Sequence, residues 1–572
     1  MKKIPKHLKK FIVKQNYSNY SYIDQACWQF IMKISIDFFS KNADNIYSQG
    51  LDKTGISIDK IPKIDVINKK LSKIGWNAVC VRGFIPPNVF MEFQSLRILP
   101  IAADMRNHKH LTYTPSPDIV HEAAGHAPII ANNDYANYLI NYGEIASKAI
   151  MSSEDMNLYY AIRNLSDIKE NINATDKEIL QCDNELKKAY KNISYVSEAA
   201  MLSRMNWWTV EYGLIGNINN PKIYGAGLLS SVAESENCLT DKVKKIPFTL
   251  DCLNYKYDIT EQQPQLFVAK SYNDLTKNLK KLSKKLSYTI GGEHGLNTAI
   301  KAKTVCTIEL DNELQISGIV SSYLSDNSNI TFFKLDGPVQ LCLNQKQLKS
   351  HGPNYHSNGY SSPIGNIKQF NKAISELNEI EQKKLNLIEN KIVTLRFDNN
   401  INLTGRIINI LKNKKYIKLI SFNACNIKYN SKFLYKAEWG NFDLVCGSKI
   451  SSVYAGPADT ISYYIDLKTN DNKYSSYNTY NKTTSNKVLN NLFKKLSILT
   501  QKNASIESYE TIYNSMKEKS ISDWLLKYKL LEAASYNKDI DWIKEIYDDL
   551  YFLSCKNSDI SRAIKRGLLL IN

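Results

Sequence analysis

Two of the eight histidines stand five residues apart in PDIVHEAAGHAPI, residues 117–129, and an acid follows the first: His121, Glu122 and His126. Imidazole is a ready ligand for iron, zinc and their neighbours, so the pair points to metal chemistry. A regular α-helix turns about 100° per residue, which carries side chains five apart off its common face. Gly125 and Pro128 offer a remedy: they let the helix widen or end, swinging His126 towards a metal held by His121. The same spacing argues against a zinc protease, whose two histidines sit four apart on one helical face. Position 125, where the second would fall, is glycine.

Two imidazoles leave a site incomplete. The set that activates oxygen on iron is two histidines and one carboxylate on one side, with the remaining positions open. The best candidate for the carboxylate is Glu211 in NWWTVEYGLIG, residues 206–216. It lies among aromatic and β-branched residues, where an acid without a partner is costly to bury and metal coordination removes that cost.

PDIVHEAAGH, TVEYGL and IYGAGLLSSVAE (223–234) resemble the successive signature segments of the pterin-dependent aromatic amino acid hydroxylases. IPKIDVINKKLSKIGW (61–76), VRGFIPPNVF (81–90), MRNHKHLTYTPSPD (105–118) and ITEQQPQLFVAKSYNDL (259–275) follow the same family in order, so the resemblance spans residues 17–286. Within that family the resemblance is most like the bacterial phenylalanine 4-hydroxylase type. It implies a mainly α catalytic domain of the aromatic amino acid hydroxylase type that uses Fe(II), tetrahydropterin (tetrahydrobiopterin or a related reduced pterin) and O2 to hydroxylate an aromatic amino acid. Phenylalanine to tyrosine is the first expectation, and tyrosine or tryptophan hydroxylation is the alternative.

The resemblance also implies roles. His121, His126 and Glu211 hold the iron; Gly83, Ile85 and Phe90 form the pterin wall, with Phe90 stacked on the ring and Glu122 at its far edge. Arg106 grips the amino acid carboxylate with Thr114 nearby, Asp118 orienting Arg106 and Ser230 on the same carboxylate. Pro117, Trp207 and Tyr212 line the slot for the aromatic side chain, and Glu234 supports the site from behind. The chain departs from the family at two positions: Pro100 stands where many members have a second pterin-contacting histidine, and Asn206 replaces a substrate-side tyrosine.

A chain of 572 residues exceeds one ordinary core, so the elements that position these groups need fill only part of it. Residues 1–290 read as the mainly helical catalytic domain, for instance DQACWQFIMKISIDFFSKN, whose apolar residues recur every three or four positions. Within it, Ser152 to Ser194 reads as an inserted, solvated helical hairpin. Residues 300–470 alternate in short Val-, Ile- and Thr-rich runs, a β-rich domain whose function the sequence does not name. An internal repeat is expected there, because TIELDNELQISGIV (307–320) and TLRFDNNINLTGRII (394–408) both place Gly seven residues after Asp: Asp311 to Gly318 and Asp398 to Gly405.

Between the two, the Gly/Pro/Ser-rich loop HGPNYHSNGYSSPIG (351–365) carries His351 and His356, which read as surface residues for want of a third ligand. NKAISELNEIEQKKLNLIENK (371–391) has helical spacing. Residues 471–486 read as a linker and 487–572 as a helical C-terminal segment, packing on the rest of the chain or on a second copy.

A net charge of +18 raises the question of nucleic acid, but the lysines are spread along the chain and no nucleic-acid-binding motif accompanies them. No apolar run reaches membrane-spanning length, and the basic N-terminus lacks the apolar core of a secretory signal. Ten cysteines without a C-x-x-C pair fit a reducing cytoplasm. The reading of a different class is a binding or scaffold protein that retains a hydroxylase fold.

Overall fold

The computed structural model describes residues 4–83, 85–106, 111–112, 117–170, 174–258, 261–327, 329–467, 487–536, 539–556 and 558–571. The expected linker at 471–486 therefore lies outside the described residues.

Ser21 starts the first long helix, Tyr22–Asn42, by accepting from the Asp24 amide while the Asp24 carboxylate takes the Ser21 amide. Its buried residues run around most of its circumference, including Cys27, Trp28, Phe30, Ile31, Ile34 and Phe39. A helix apolar on so many sides belongs inside a bundle. The C-terminal helices Lys487–Gln501, Trp524–Ala534 and Asp559–Leu569 supply part of its cover. Phe30 meets Trp524 and Tyr528 edge-on at 5.2 and 4.7 Å, and Lys33 pairs with Glu532 at 2.7 Å. The last segment of the chain thus packs into the same hydrophobic core as the first 286 residues.

Two small sheets brace this helical body. Strands β1 (Asn77–Val81) and β2 (Ile98–Ala102) pair in parallel, joined through the helix Pro87–Ser95. Strands β3 (Leu214–Asn217), β4 (Asn220–Ile223), β5 (Lys244–Pro247) and β6 (Gln265–Ala269) form a second sheet in the order β4-β3-β6-β5. The expected hairpin is formed by the helices Ser153–Glu170 and Asp176–Lys191; the second, capped reciprocally by Thr175 and Glu178, buries no residue.

From Val305 the chain turns to antiparallel sheet. Strands β7 (Val305–Leu310), β8 (Leu314–Asp326), β9 (Asn329–Leu343) and β10 (Lys346–Gln347) form a meander, and β11 (Gly359–Pro363) returns to pair with β9. Strands β12 (Ile392–Arg396), β13 (Ile401–Asn413), β14 (Tyr416–Tyr429) and β15 (Lys432–Tyr435) form a second meander. Strand β16 (Phe442–Val445) pairs with β14, and β17 (Ile450–Ala455) crosses back to β7. The two sheets touch where the Tyr360 hydroxyl donates to the Asp443 carbonyl at 2.6 Å and the Val445 amide to the Ser362 hydroxyl at 3.3 Å.

Two expectations fail here. Residues 371–391 form only a single turn at Ile374–Glu376 and a short helix, Glu379–Lys384; Asn371, Asn386 and Asn390 adopt positive φ, which breaks a helix. His351 and His356 are not surface residues. His356 is buried, His351 nearly so, and the acid beside them, Asp443, comes from the other sheet. No helix among the described residues is long and apolar enough to cross a membrane.

Candidate metal centre

Residues Val120–His126 wind as a π-helix, in which the Ala127 amide reaches back five residues to the Glu122 carbonyl. Five-residue spacing then returns to one face, so His121 and His126 project together. Gly125 permits the close approach of the next layer: a Cβ there would lie 2.7 Å from the carbonyl oxygen of Ala226, in the short helix Ala226–Ser230. Glu211 also ends a π-helix, Trp207–Glu211, closed by the Tyr212 amide on the Trp207 carbonyl at 2.8 Å.

The three side chains converge. His121 Nε2 is 3.2 Å from His126 Nε2 and 3.3 Å from Glu211 Oε2; His126 Nε2 is 3.5 Å from Glu211 Oε1. The rings stand almost perpendicular, at 86°. The side chains of His121 and Glu211 keep 22% and 17% exposure against 5% for His126, so the cluster is open on one side.

His121 Nδ1 lies 3.0 Å from the Ser230 hydroxyl, which itself bonds the Ala226 carbonyl at 2.8 Å. Because the hydroxyl hydrogen goes to that carbonyl, the Ser230 oxygen accepts from His121 Nδ1–H. In the neutral form that ligates a metal, the lone pair of His121 is thereby on Nε2, facing its two partners.

Burial resists charge on all of these groups, and the neighbours decide the outcome. For His121 the Glu211 carboxylate, aided by Glu122 and Asp118, overcomes burial and raises the pKa to about 9. His126 is lowered to about 4 by burial and by the charge on His121, against Glu211. Burial pushes Glu211 upward, but the two imidazoles hold it down at about 2. Glu122 is raised by burial to about 8 and keeps its proton at neutral pH.

The donor set suits a transition metal. Bonds of about 2.1 Å to nitrogen and oxygen place adjacent ligand atoms about 3 Å apart. Beside the cluster, Glu122 Oε2 and Asn206 Oδ1 are buried without a hydrogen-bond partner, as expected of groups at a site built for ligands.

Of the other residues singled out in the sequence, Arg106, Asp118 and Ser230 are linked to this centre by hydrogen bonds. Arg106 is buried; its Nε and Nη2 donate to the two Asp118 oxygens at 2.7 and 2.9 Å, and its Nη1 to the carbonyls of Ser230 and Leu111 at 3.0 and 3.3 Å. Asp118 also accepts from the His121 amide at 3.0 Å, tying Arg106 to the helix that carries His121 and His126. Arginine overcomes the burial of Asp118 and holds its carboxyl below the usual range. Glu234 is buried on the helix Val232–Asn237, its amide capped by Ser231. Pro117 is half-buried immediately before Asp118. Gly83 adopts φ +54°, Ile85 is buried, and Phe90 is half-buried on the helix Pro87–Ser95, the latter two in a small separate core around β1 and β2. Thr114 lies outside the described residues.

The matched family is described as the biopterin-dependent aromatic amino acid hydroxylases, and its sequence model covers residues 12–192 and 175–331, more than half of the chain. The chain belongs to this family. Phenylalanine-4-hydroxylase of Chromobacterium violaceum is 29% identical over 268 residues, which is 46% of this chain and 75% of that protein. The enzyme of the same name from Mesorhizobium japonicum is 27% identical over 269 residues, 46% of this chain and 81% of that one. A crystal structure of the Chromobacterium violaceum enzyme with iron(III) and 7,8-dihydrobiopterin is 26% identical, covers 49% of this chain and 92% of that chain, and superposes with a TM-score of 0.38.

Within this hydroxylase, the aromatic residues expected to line a slot form a stack with one further ring. Trp207 stacks with two rings, Tyr212 at 4.5 Å and 26° and Tyr257 at 4.5 Å and 12°. Sequence reading missed Tyr257: nothing in LNYKYD marks it, since the stack joins segments far apart in the chain. It also noted Asn206 only as a departure, whereas the Asn206 side chain bonds Glu211 and helps hold it ionised.

Proposed function

We propose that the protein is an iron- and tetrahydropterin-dependent monooxygenase that converts phenylalanine to tyrosine with O2. The observation that carries this reading is the convergence of His121, His126 and Glu211 within 3.5 Å of one another on two π-helical turns, in a chain of the biopterin-dependent family. The bacterial relatives named phenylalanine-4-hydroxylase support phenylalanine as substrate. Bound iron and reduced pterin supply the oxygen activation.

The chain's own part is to hold and orient. Ser230 fixes the His121 tautomer, Asn206 steadies Glu211, and neutral Glu122 offers an acid hydrogen beside His126. Arg106, stiffened by Asp118, presents fixed positive charge for an amino acid carboxylate beside the open face. The test is iron content of the purified protein together with tyrosine formation from phenylalanine, with and without tetrahydropterin. Iron-bound protein that makes tyrosine only with pterin is expected. Preferential hydroxylation of tyrosine or tryptophan would move the reading to those substrates, and iron without any hydroxylation would favour a scaffold.

A cytoplasmic location is supported by buried free thiols such as Cys80, Cys238, Cys306 and Cys446. We also infer that residues 300–470 contain two copies of one β unit, set between a catalytic block at 1–290 and the helical segment 487–572. In both meanders the side chain of an Asn accepts the amide two residues on, Asn312 from Leu314 and Asn399 from Ile401. The next residue has positive φ in both, Glu313 at 70° and Asn400 at 63°. Both long hairpins shift register at the shared glycine, Gly318 and Gly405.

A further inference from the structure

The β region holds a second cluster of metal-binding groups that no part of the hydroxylase reaction uses. His351 and His356 lie in the loop between β10 and β11, and Asp443 on β16 of the neighbouring sheet. Their three donor atoms fall within 4.8 Å of one another. His351 Nδ1 is 3.4 Å from His356 Nε2 and 3.8 Å from Asp443 Oδ2.

Those distances fit hydrogen bonds poorly. An N–H to carboxylate bond closes to about 2.7–3.0 Å, so a pair held at 3.8 Å is not bonded, and two ring nitrogens at 3.4 Å make a weak contact at best. They fit ligands of one ion well, because tetrahedral zinc with bonds of about 2.0–2.1 Å separates its donors by about 3.3 Å. The two His351 separations need a contraction of at most about half an ångström to reach that value, and the third donor pair lies within 4.8 Å.

The positions are also built. The loop is locked by its backbone: the His351 carbonyl accepts from Leu341 at 2.9 Å and the His356 carbonyl from Val339 at 3.1 Å, both on β9. The turn Gly352–His356, closed by the His356 amide on the Gly352 carbonyl at 3.1 Å, stacks the two rings at 22°. Asp443 faces Ser421 across the β14–β16 pair, and the Ser421 hydroxyl donates to its Oδ1, orienting Oδ2 towards His351. Burial lowers the pKa of both histidines, that of His356 to about 3, which keeps them in the neutral form that ligates. Tyr355, half exposed and in hydrogen-bond reach of Asp443, stands beside both histidine rings.

We propose that His351, His356 and Asp443 bind a divalent transition metal ion of the zinc class, at a site separate from His121, His126 and Glu211. Two imidazoles exclude magnesium and calcium as preferred occupants, since those ions take oxygen donors. With two ligands from one sheet's loop and one from the other sheet, the ion clasps the two β units together.

The experiment equilibrates the metal-free full-length chain with zinc(II) and measures bound metal by mass spectrometry after dialysis. Because zinc also enters the catalytic cluster, the wild type is expected to hold about two ions per chain, and Asp443→Asn and His351→Gln about one. A His121→Ala/His126→Ala variant is expected to keep about one, and to gain thermal stability on adding zinc through the remaining site. Should Asp443→Asn fail to fold, this last variant decides. Wild-type zinc content in a folded Asp443→Asn or His351→Gln protein, or no zinc in the His121→Ala/His126→Ala variant, overturns the proposal.

Discussion

The Ser230 hydroxyl accepts from His121 Nδ1 at 3.0 Å while giving its own hydrogen to Ala226, so one small side chain decides which nitrogen of His121 faces the metal centre. Ser230→Ala removes that constraint without adding bulk. Iron affinity is expected to fall about 10–100-fold, the usual effect of losing such a partner, with little change in melting temperature. Iron binding measured against a chelator checks it; an unchanged affinity would place Ser230 outside the metal centre's support.

Gly125→Ala tests the packing that permits the π-turn. Its Cβ would meet the backbone of Ala226 at 2.7 Å, and backbone cannot swing aside as a flexible side chain can. The expected cost is about 1–3 kcal/mol of stability, with loss of iron as the helix Ala226–Ser230 is displaced. Retained iron at wild-type stability would contradict the geometry.

Asp118→Asn leaves the buried Arg106 charge without its partner. Such a change costs about 3–5 kcal/mol. Arg106→Ala is expected mainly to raise KM for the amino acid. Steady-state kinetics and denaturant unfolding of the two variants separate the roles, and an unchanged KM would remove Arg106 from substrate binding.

Glu234 gives a pH signature. Burial, with Asp559 adding and the Gln263 amide opposing, raises its pKa to about 7, so the folded protein favours the neutral acid. That stabilisation is complete below the unfolded value near 4.5 and is lost as pH rises through about 7. Glu234→Gln should therefore flatten the decline in stability between pH 5 and 8 by on the order of 2–3 kcal/mol. Parallel melting curves for wild type and variant across that range would show that Glu234 is not the group responsible.

Arg566 tests the union of the chain's two ends. It donates to the Val232 carbonyl at 3.2 Å and the Ile34 carbonyl at 2.9 Å and lies 4.3 Å from the Phe38 ring centre. Arg566→Ala leaves both carbonyls without this donor and should lower stability by about 1–3 kcal/mol. It should also weaken activity, because Val232 lies two residues from Ser230. A melting temperature and kcat equal to wild type would mean that the C-terminal helices only rest on the hydroxylase.

His121, His126 and Glu211 were legible because their chemistry is rare in combination: few histidines, a glycine and a proline that free the helix from α geometry, and an acid amid apolar neighbours. Helices such as Tyr22–Asn42 and the onset of β structure near Val305 were legible from periodicity. Residues 371–391 misled because helical spacing of apolar side chains also serves a chain of turns packed on one face.

Sequence alone pointed to the candidate ligand types and determined the family, since motif spacing is a local property of the chain. Only the tertiary structure decided that both halves of the metal centre use π-turns, that Tyr257 closes over Trp207, and that the last helices complete the core around the first. It also took His351 and His356 from an apparent surface loop and set Asp443 beside them. Such contacts depend on how sheets and helices cross in space, which separation along the chain does not encode.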